Sequence, residues 1–198
     1  MSASPTHTWL IAGLGNPEER YDATFHNLGF RVADLLSDRQ GGGRWESLFR
    51  GRLRKVRLEG TRAVLLKPMT YMNLSGESVR PAADKLGVPL ERIVVVHDDL
   101  DLEPGDVRVK VGGGAGGHRG LASCIQHLAS PEFIRVRIGI GRHEHVPADR
   151  WVLTRIPADQ GQTFDEAVER AADAVEMILS RGPALTMNET NRREAESD

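Results

Sequence analysis

The sequence lacks the features that mark secreted and membrane proteins. Cys124 is the single cysteine among 198 residues, so no disulfide framework can form and a reducing compartment is expected. No stretch approaches the roughly 18 apolar residues that a membrane helix requires. Residues 1–7 lack the charged and apolar regions of a signal peptide. We therefore expect a cytoplasmic protein that makes no contact with a membrane.

Nucleotide-binding signatures are present only in part. Gly13 and Gly15 follow an apolar run, but the dinucleotide fingerprint needs a third glycine where Glu18 stands. Pro17 also offers no backbone N–H to a pyrophosphate. The glycine-rich residues 112–120 lack the Gly-Lys-Ser/Thr ending of a P-loop. A Rossmann dinucleotide site is therefore excluded, and nucleotide hydrolysis has no support.

The pattern along the chain predicts one α/β domain spanning 1–198, with flexible tails at 1–7 and about 190–198. The length and the composition, 39% apolar and 27% charged, are ordinary for one soluble globular domain. Strands that alternate with helices predict a twisted mixed sheet with helices on both faces. Predicted strands are 9–12, 45–58, 62–67, 93–96, 107–111 and 134–140, and predicted helices are 26–38, 75–87, 118–129 and 164–179.

The burial of three strands can also be predicted. Residues 93–96 are apolar throughout, which is typical of a central strand covered on both faces. Residues 107–111 and 134–140 alternate, so we expect them to be half exposed, with Arg135 and Arg137 on one face.

The net charge of −2 conceals a strong segregation of charge. Residues 107–142 hold six basic residues and one acid, whereas residues 158–198 hold ten acids and four arginines. The first of these segments surrounds the glycine-rich loop, which favours anion binding there. A second basic run, residues 44–62, holds seven cations and two acids, and we interpret it as the solvent face of an amphipathic edge strand.

The glycine-rich residues 112–120 precede a predicted helix. Dense glycine lets the backbone approach a ligand closely, and the free N–H groups at a helix start attract anions. A mobile lid over the site is the alternative interpretation, and both could hold.

Polar side chains follow the predicted strands at their carboxyl ends, where α/β sheets form their sites. Asn16 and Asn73 are carboxamides that could bind a peptide backbone or stabilise an oxyanion, although asparagine also favours turns for local reasons. His97, Asp98, Asp99 and Asp101 could form a metal cluster. That series lacks the glycine turn and distal glutamate of a calcium loop, so we do not favour a metal.

His26 is the best candidate for a general base, because imidazole titrates near neutral pH. A lone histidine is more often structural, for instance as a helix cap. Asp98 shifts the balance, because a carboxylate that accepts from one ring N–H leaves the other nitrogen free to take a proton from water. With no serine or cysteine nucleophile evident, this pairing favours hydrolysis by activated water.

Taken together, these segments resemble the bacterial peptidyl-tRNA hydrolase family. The matching blocks occur in family order across nearly the whole chain, so the resemblance is highly specific. They are Gly-Leu-Gly-Asn-Pro (13–17), Tyr21-x-x-Thr24-x-His26-Asn27-x-Gly29, Lys67-Pro68-x-Thr70-Tyr71-Met72-Asn73-x-Ser75-Gly76, His97-Asp98-Asp99-Leu100-Asp101-Leu102, residues 112–121, residues 137–142, Trp151-Val152-Leu153 and Met187-Asn188.

The resemblance implies hydrolysis of the ester that joins a peptide to the 3′ end of tRNA, which frees tRNA for reuse in translation. It implies a monomeric α/β protein without metal or cofactor, in which His26 is the general base and Asp98 its orienting partner. The other implied residues hold the substrate: Asn16, Tyr21, Met72 and Asn73 on the peptidyl side, and Lys110 and Arg137, with Arg108 nearby, on phosphates of the tRNA.

The chain departs from the family pattern most clearly at Arg119. The family usually has asparagine there, associated with orienting the water or the tRNA end. We place Arg119 among the substrate-binding residues, since it could bind a phosphate. A guanidinium close to His26 would instead disfavour protonation of the base. Ala115 also replaces a common histidine, and Glu18 a common glycine.

Two alternatives stay open on the sequence alone. An RNA-binding homologue with weak or no hydrolase activity is motivated by Arg119, although a pure binder would need no base–carboxylate pair. A metal-dependent peptidase of similar architecture would lose its activity with a chelator.

Overall fold

The computed structural model describes residues 8–192, and its centre is a seven-stranded mixed sheet. The strand order is β2-β3-β4-β1-β5-β7-β6. The pairs β4–β1, β1–β5 and β5–β7 are parallel, and the pairs β2–β3, β3–β4 and β6–β7 are antiparallel. The strands are β1 Trp9–Gly13, β2 Glu46–Leu48, β3 Gly51–Leu58, β4 Thr61–Pro68, β5 Ile93–Asp99, β6 Val107–Val111 and β7 Ile134–Gly139.

Helices cover both faces of the sheet, which confirms the predicted α/β class. One face packs against α1 and α5 around Ile11, Val96 and Phe164, and the other packs against α2 and α3 around Leu10 and Val95. Side chains alternate along a strand, so β1 and β5 contribute to both cores. The helices are α1 Leu28–Arg39, α2 Gly76–Leu86, α3 Arg119–Leu128, α4 Ala148–Trp151, α5 Gly161–Arg181 and α6 Pro183–Arg192. Within residues 8–192, no helix has both the length and the apolar character needed to cross a membrane.

The structure confirms that residues 93–96 form a buried strand, and it corrects two other predictions about strands. Residues 93–96 are fully buried, as their continuous apolar character predicts. The predicted strand 45–58 is two strands, because Phe49 and Arg50 both adopt positive φ and turn the chain between β2 and β3. The edge strand is therefore β2 rather than the basic β3. Strand β7, predicted to be half exposed, is buried at every position except Arg137, and Arg135 is only 3% exposed.

The C-terminal region contains a helix that the sequence pattern did not predict. The chain turns at Gly182 and continues as α6, whose Asn191 side chain both donates to and accepts from the backbone of Val109. Residues 190–192, predicted to be part of a tail, are therefore helical. The remaining predicted tail residues, 1–7 and 193–198, lie outside the described residues.

Two glycines bring the start of α1 against the end of β1. A Cβ atom on Gly13 would lie 2.1 Å from the carbonyl oxygen of Gly29, and one on Gly29 would lie 2.4 Å from the backbone nitrogen of Leu14. No larger residue fits at either position without displacing the helix. The 3₁₀ turn Phe25–Asn27, which leads into α1, is thereby held at the carboxyl end of β1.

Candidate active site

A crevice of about 710 Å³ opens at the carboxyl ends of the parallel strands. Sites form at this edge in α/β sheets because the loops diverge there. The structure brings together nine of the ten predicted site residues along its walls: Asn16, Tyr21, His26, Met72, Asn73, Asp98, Lys110, Arg119 and Arg137. Arg108 does not line it.

His26 and Asp98 form a direct pair at the base of the crevice. The Nδ1 atom of His26 lies 2.8 and 2.9 Å from the two carboxylate oxygens of Asp98. A carboxylate only accepts hydrogen bonds, so Nδ1 carries the proton and Nε2 keeps a free lone pair. His26 is 8% exposed and Asp98 1% exposed, which shields the pair from solvent. The arrangement can accept a proton from a water molecule at Nε2.

His118 is a second partner of Asp98 and was not among the predicted site residues. Its Nε2 lies 3.0 Å from Asp98 Oδ1, and its Nδ1 accepts from the backbone N–H of Leu121. His118 is thus the N-cap of α3. Its place between a glycine-rich loop and a helix start was a signal visible in the sequence. We call His26, Asp98 and His118 the buried corner.

The ionisation of Asp98 is set by this corner. Burial alone would raise the pKa of the carboxyl group, but His26 and His118 together hold that pKa well below its usual range. Asp98 therefore stays a carboxylate throughout the neutral range.

His97 is adjacent to the corner but cannot serve as a base. It is 2% exposed, and its Nδ1 donates to the carbonyl oxygen of Asp98 at 2.7 Å. Burial lowers the pKa of His97 to about 3. The ring is therefore neutral at physiological pH, and its bond to the backbone steadies the end of β5.

Asn16 is fixed by two neighbours that leave its amide group available. Its backbone N–H donates to Oδ1 of Asn27, whose Nδ2 donates back to the Asn16 carbonyl. The Asn16 side-chain oxygen accepts from the backbone N–H of Met72 at 2.9 Å. Because a backbone N–H can only donate, the oxygen must face Met72, which leaves the NH₂ group as a donor to the crevice. Asn27, which was not among the predicted site residues, supports this orientation.

Tyrosines and Asn73 form an exposed rim of the crevice. Tyr21, Tyr71 and Asn73 all line the crevice, and Asn73 is exposed. The hydroxyl of Tyr71 donates to Glu18 at 2.8 Å, and this bond raises the pKa of Tyr71. Glu18, where the family often has glycine, therefore packs at the rim and not against the buried corner.

Cations line the wall beside the glycine-rich loop. Lys110 is exposed, and its side chain lies against Gly113. A Cβ atom on Gly113 would lie 2.8 Å from the Nζ atom of Lys110. Arg137 donates to Asp99 at 2.8 Å and holds the pKa of that carboxyl below its usual range, against the effect of burial. Arg108 pairs in register with Arg137 on the neighbouring strand but stays outside the crevice. We call Lys110, Arg119 and Arg137 the cationic edge.

Arg135 has a structural role that its sequence position concealed. Its guanidinium donates to the carbonyl oxygens of Gly113 and Gly114. The loop that leads to His118 is thereby fastened to β7.

Arg119 is the first residue of α3 and is exposed at the crevice. Among residues 8–192 it has no hydrogen bond or ion-pair partner, so neither kind of interaction couples it to His26. The expectation that a guanidinium here disfavours protonation of His26 therefore has no hydrogen bond or ion pair to support it.

Three potential metal-ligating atoms come together in the described part of the chain. They belong to His26, Asp98 and His118 and lie within 4.8 Å of one another, at separations from Asp98 that are typical of hydrogen bonds. The metal cluster considered from the sequence, His97 with Asp98, Asp99 and Asp101, does not form. Asp99 instead pairs with Arg137, and Asp101 pairs with Arg142.

Comparisons with known proteins identify the family of this chain. The family profile described as Peptidyl-tRNA hydrolase matches residues 10–198. A peptidyl-tRNA hydrolase of Rubrobacter xylanophilus is 50% identical over 182 residues, covering 91% of this chain and 99% of the relative. That of Caldanaerobacter subterraneus subsp. tengcongensis is 44% identical over 183 residues, covering 92% and 99%. The crystal structure of the Acinetobacter baumannii peptidyl-tRNA hydrolase matches with a TM-score of 0.86 and 36% identity, covering 96% of this chain and 97% of that chain. The chain belongs to the peptidyl-tRNA hydrolase family.

Proposed function

We propose that this chain hydrolyses the ester between peptide and tRNA in peptidyl-tRNA, using a water molecule activated by His26. The observation that carries the proposal is the hydrogen bond from His26 Nδ1 to Asp98 at the base of the crevice. It fixes the tautomer in which Nε2 is an acceptor. Family membership supplies the substrate class.

His26 and Asp98 are sufficient for the proton transfers of this hydrolysis. His26 Nε2 takes one proton from water as the water oxygen attacks the ester carbonyl carbon, and Asp98 stabilises the imidazolium that forms. The tetrahedral intermediate then collapses, and the bond between the carbonyl carbon and the ribose oxygen breaks. His26 returns the proton to that oxygen, which gives a free peptide carboxyl group and a free 3′ hydroxyl on the tRNA.

Two amide side chains are placed to bind the peptidyl part. The free NH₂ group of Asn16 can donate to a peptide carbonyl or to the developing oxyanion, and removal of one such donor costs roughly a hundred- to a thousandfold in rate in other hydrolases. Asn73 offers a second amide at the exposed rim, and Tyr21 and Met72 supply apolar contact.

The cationic edge is placed to bind phosphates of the tRNA. Lys110 and Arg119 have no carboxylate partner among residues 8–192, so their charge is available to a ligand. Arg137 shares its charge with Asp99, and Arg108 would act from outside the crevice. We also expect a cytoplasmic monomer that needs no metal or cofactor.

The test is steady-state cleavage of a model peptidyl-tRNA. His26→Ala should lower kcat/KM by about a hundredfold or more, because a general base contributes at least that much. His145→Ala, an exposed histidine outside the crevice, is the matched control and should be unchanged. Wild-type turnover no better than that of His26→Ala would contradict the hydrolase proposal.

A chelator separates the proposal from the metal-dependent alternative. Turnover should be unaffected by excess EDTA, and loss of turnover that zinc restores would favour a metallopeptidase. The weakly active RNA-binding alternative has no support, since the family is one of hydrolases and the base–carboxylate pair is intact. Light scattering of the purified protein would test the monomer.

A further inference from the structure

We propose that His118 is a positioning residue for hydrolysis, which holds the Asp98 carboxylate in the geometry that orients His26. This inference rests on the proposed function of the same crevice. It assigns to His118 a role beyond capping a helix, through the contact between its Nε2 and Asp98 Oδ1 at 3.0 Å.

The tautomer of His118 follows from its two contacts. Nδ1 faces the backbone N–H of Leu121, which can only donate, so Nδ1 must be an unprotonated acceptor. Nε2 then carries the ring proton and donates it to Asp98. Both ring nitrogens are therefore committed to these contacts.

Capping alone does not explain a histidine at this position. Helix N-caps favour serine, threonine, aspartate and asparagine, whose short side chains reach the backbone N–H groups of the first turn. None of those side chains extends to Asp98 as well. The far nitrogen of the imidazole ring spans the distance between the start of α3 and the end of β5. The residue type is therefore explained by the carboxylate.

Asp98 needs a second donor because it is almost fully buried. A buried carboxylate is stable only when its oxygens are paired, and each charge-assisted hydrogen bond also restricts its rotation. The titratable groups that face it are His26 and His118, and its own backbone carbonyl accepts from His97. The nearby Asp99 is already paired with Arg137. Without His118, the whole carboxylate charge would act on His26.

The same bond connects the base to the glycine-rich loop. The loop ends at His118, and Arg135 fastens its earlier part through the carbonyl oxygens of Gly113 and Gly114. Lys110, at the cationic edge, lies against Gly113. The position of this loop therefore determines whether the second donor reaches Asp98.

The experiment separates the cap from the contact with Asp98. His118→Asn keeps an oxygen that can accept from Leu121, but its side chain is too short to reach Asp98. His118→Ala removes both interactions. His127→Asn, on the last turn of α3 and outside the crevice, is the matched control. We expect kcat/KM to fall about ten- to a hundredfold in both His118 variants, since one hydrogen bond to a charged group is lost. Both variants should lower Tm, because buried Asp98 loses a donor, and His118→Ala should lower it further because the helix cap is lost as well.

The pH profile provides a readout that a purely structural role would leave unchanged. With one donor fewer, the Asp98 carboxylate stabilises the protonated form of His26 more strongly. The acid limb of the kcat/KM profile should therefore move to higher pH in both His118 variants and stay in place in His127→Asn. An unmoved limb in His118→Asn, whatever its activity, would overturn the inference.

A measurement without substrate keeps the two proposals distinguishable. In protein labelled with ¹⁵N-histidine, the His26 ring resonances should titrate at higher pH in His118→Asn than in wild type. A wild type that hydrolyses substrate with no shift in His118→Asn would refute the positioning role alone. A shift in a protein with no His26-dependent turnover would refute the proposed function and leave the contact with Asp98 intact.

Discussion

The buried corner and the cationic edge lie along one crevice but are built in opposite ways. In the buried corner, every side chain has a partner inside the protein, and Asp98 has two. In the cationic edge, Lys110 and Arg119 have no carboxylate partner among residues 8–192, and only Arg137 has one. A proton-transfer site has to be oriented before substrate arrives, whereas a phosphate site has to keep its charge available for the ligand.

Two consecutive residues of β5 serve these two regions: Asp98 is part of the buried corner, and Asp99 binds Arg137 of the cationic edge. Side chains alternate across a strand, so Asp98 and Asp99 point to opposite faces of the sheet. Asp98 meets two histidines, whereas Asp99 meets Arg137 on the neighbouring strand. The same residue type therefore supports proton transfer on one face and positions a cation on the other.

The strongest way to break the buried corner is Asp98→Asn. The neutral amide no longer stabilises an imidazolium and can stabilise the wrong tautomer of His26, so kcat should fall by about a thousandfold or more. Single-turnover cleavage measures the effect. Asp84→Asn, whose exposed carboxylate pairs with Arg80 outside the crevice, is the control and should retain its activity. Equal turnover by the two variants would show that the corner is not the catalytic centre.

A substitution in the cationic edge should affect binding and not chemistry. Lys110→Ala removes one cation available to phosphate, so KM should rise about tenfold at low salt with kcat little changed. The slope of log KM against log salt concentration should also decrease by about one. Lys55→Ala, an exposed lysine on β3, serves as the control. A fall in kcat with unchanged KM would place Lys110 in the chemistry.

His97, which lies beside the buried corner, should make the stability of the protein depend on pH. With its pKa lowered to about 3, His97 stays neutral in the folded protein, while the unfolded chain protonates it below about pH 6.5. The unfolded state then binds more protons, so stability falls as pH decreases through this range, by up to about 1.4 kcal/mol per pH unit from this residue. Asp98 adds nothing in this window, because it is ionised in both states.

Urea unfolding at pH 6.5, 6.0, 5.5 and 5.0 measures this dependence. His97→Asn should show a shallower loss of the free energy of unfolding than wild type. The exposed His145→Asn should follow wild type. Parallel curves for His97→Asn and wild type would show that His97 protonates in the folded state.

The smallest effect is expected for Arg119→Asn, which restores the usual family residue. Because Arg119 makes no hydrogen bond or ion pair with His26, the acid limb of the pH profile should not move. KM should rise about twofold at most, since one exposed cation near the tRNA is lost. A large increase in kcat would show that the guanidinium hinders the base. The measurement is the kcat/KM profile between pH 5 and 8.

The sequence predicted the parts of the site that depend on short segments. Continuous apolar residues at 93–96 identified the central strand, and the polar residues after strands identified Asn16, Asn73 and Asp98. The pattern failed where long-range contacts decide the outcome. Arg135 looked like an exposed residue of an alternating strand, but the carbonyl oxygens of the glycine-rich loop bury it. The sequence pattern did not predict helix α6, because this helix packs against β6, which lies distant in the chain.

The sequence by itself determined the alternation of the main strands and helices, the side chains available at the sheet edge and the family to which they belong. Apolar periodicity and turn residues act within a few positions of the chain, so these properties can be read locally. Only the tertiary structure decided which of these side chains meet. The hydrogen bond between His26 and Asp98 joins residues 72 positions apart, and the one between His118 and Asp98 joins residues 20 apart. Such contacts follow from the packing of α1 and α3 against β5, which no local pattern encodes.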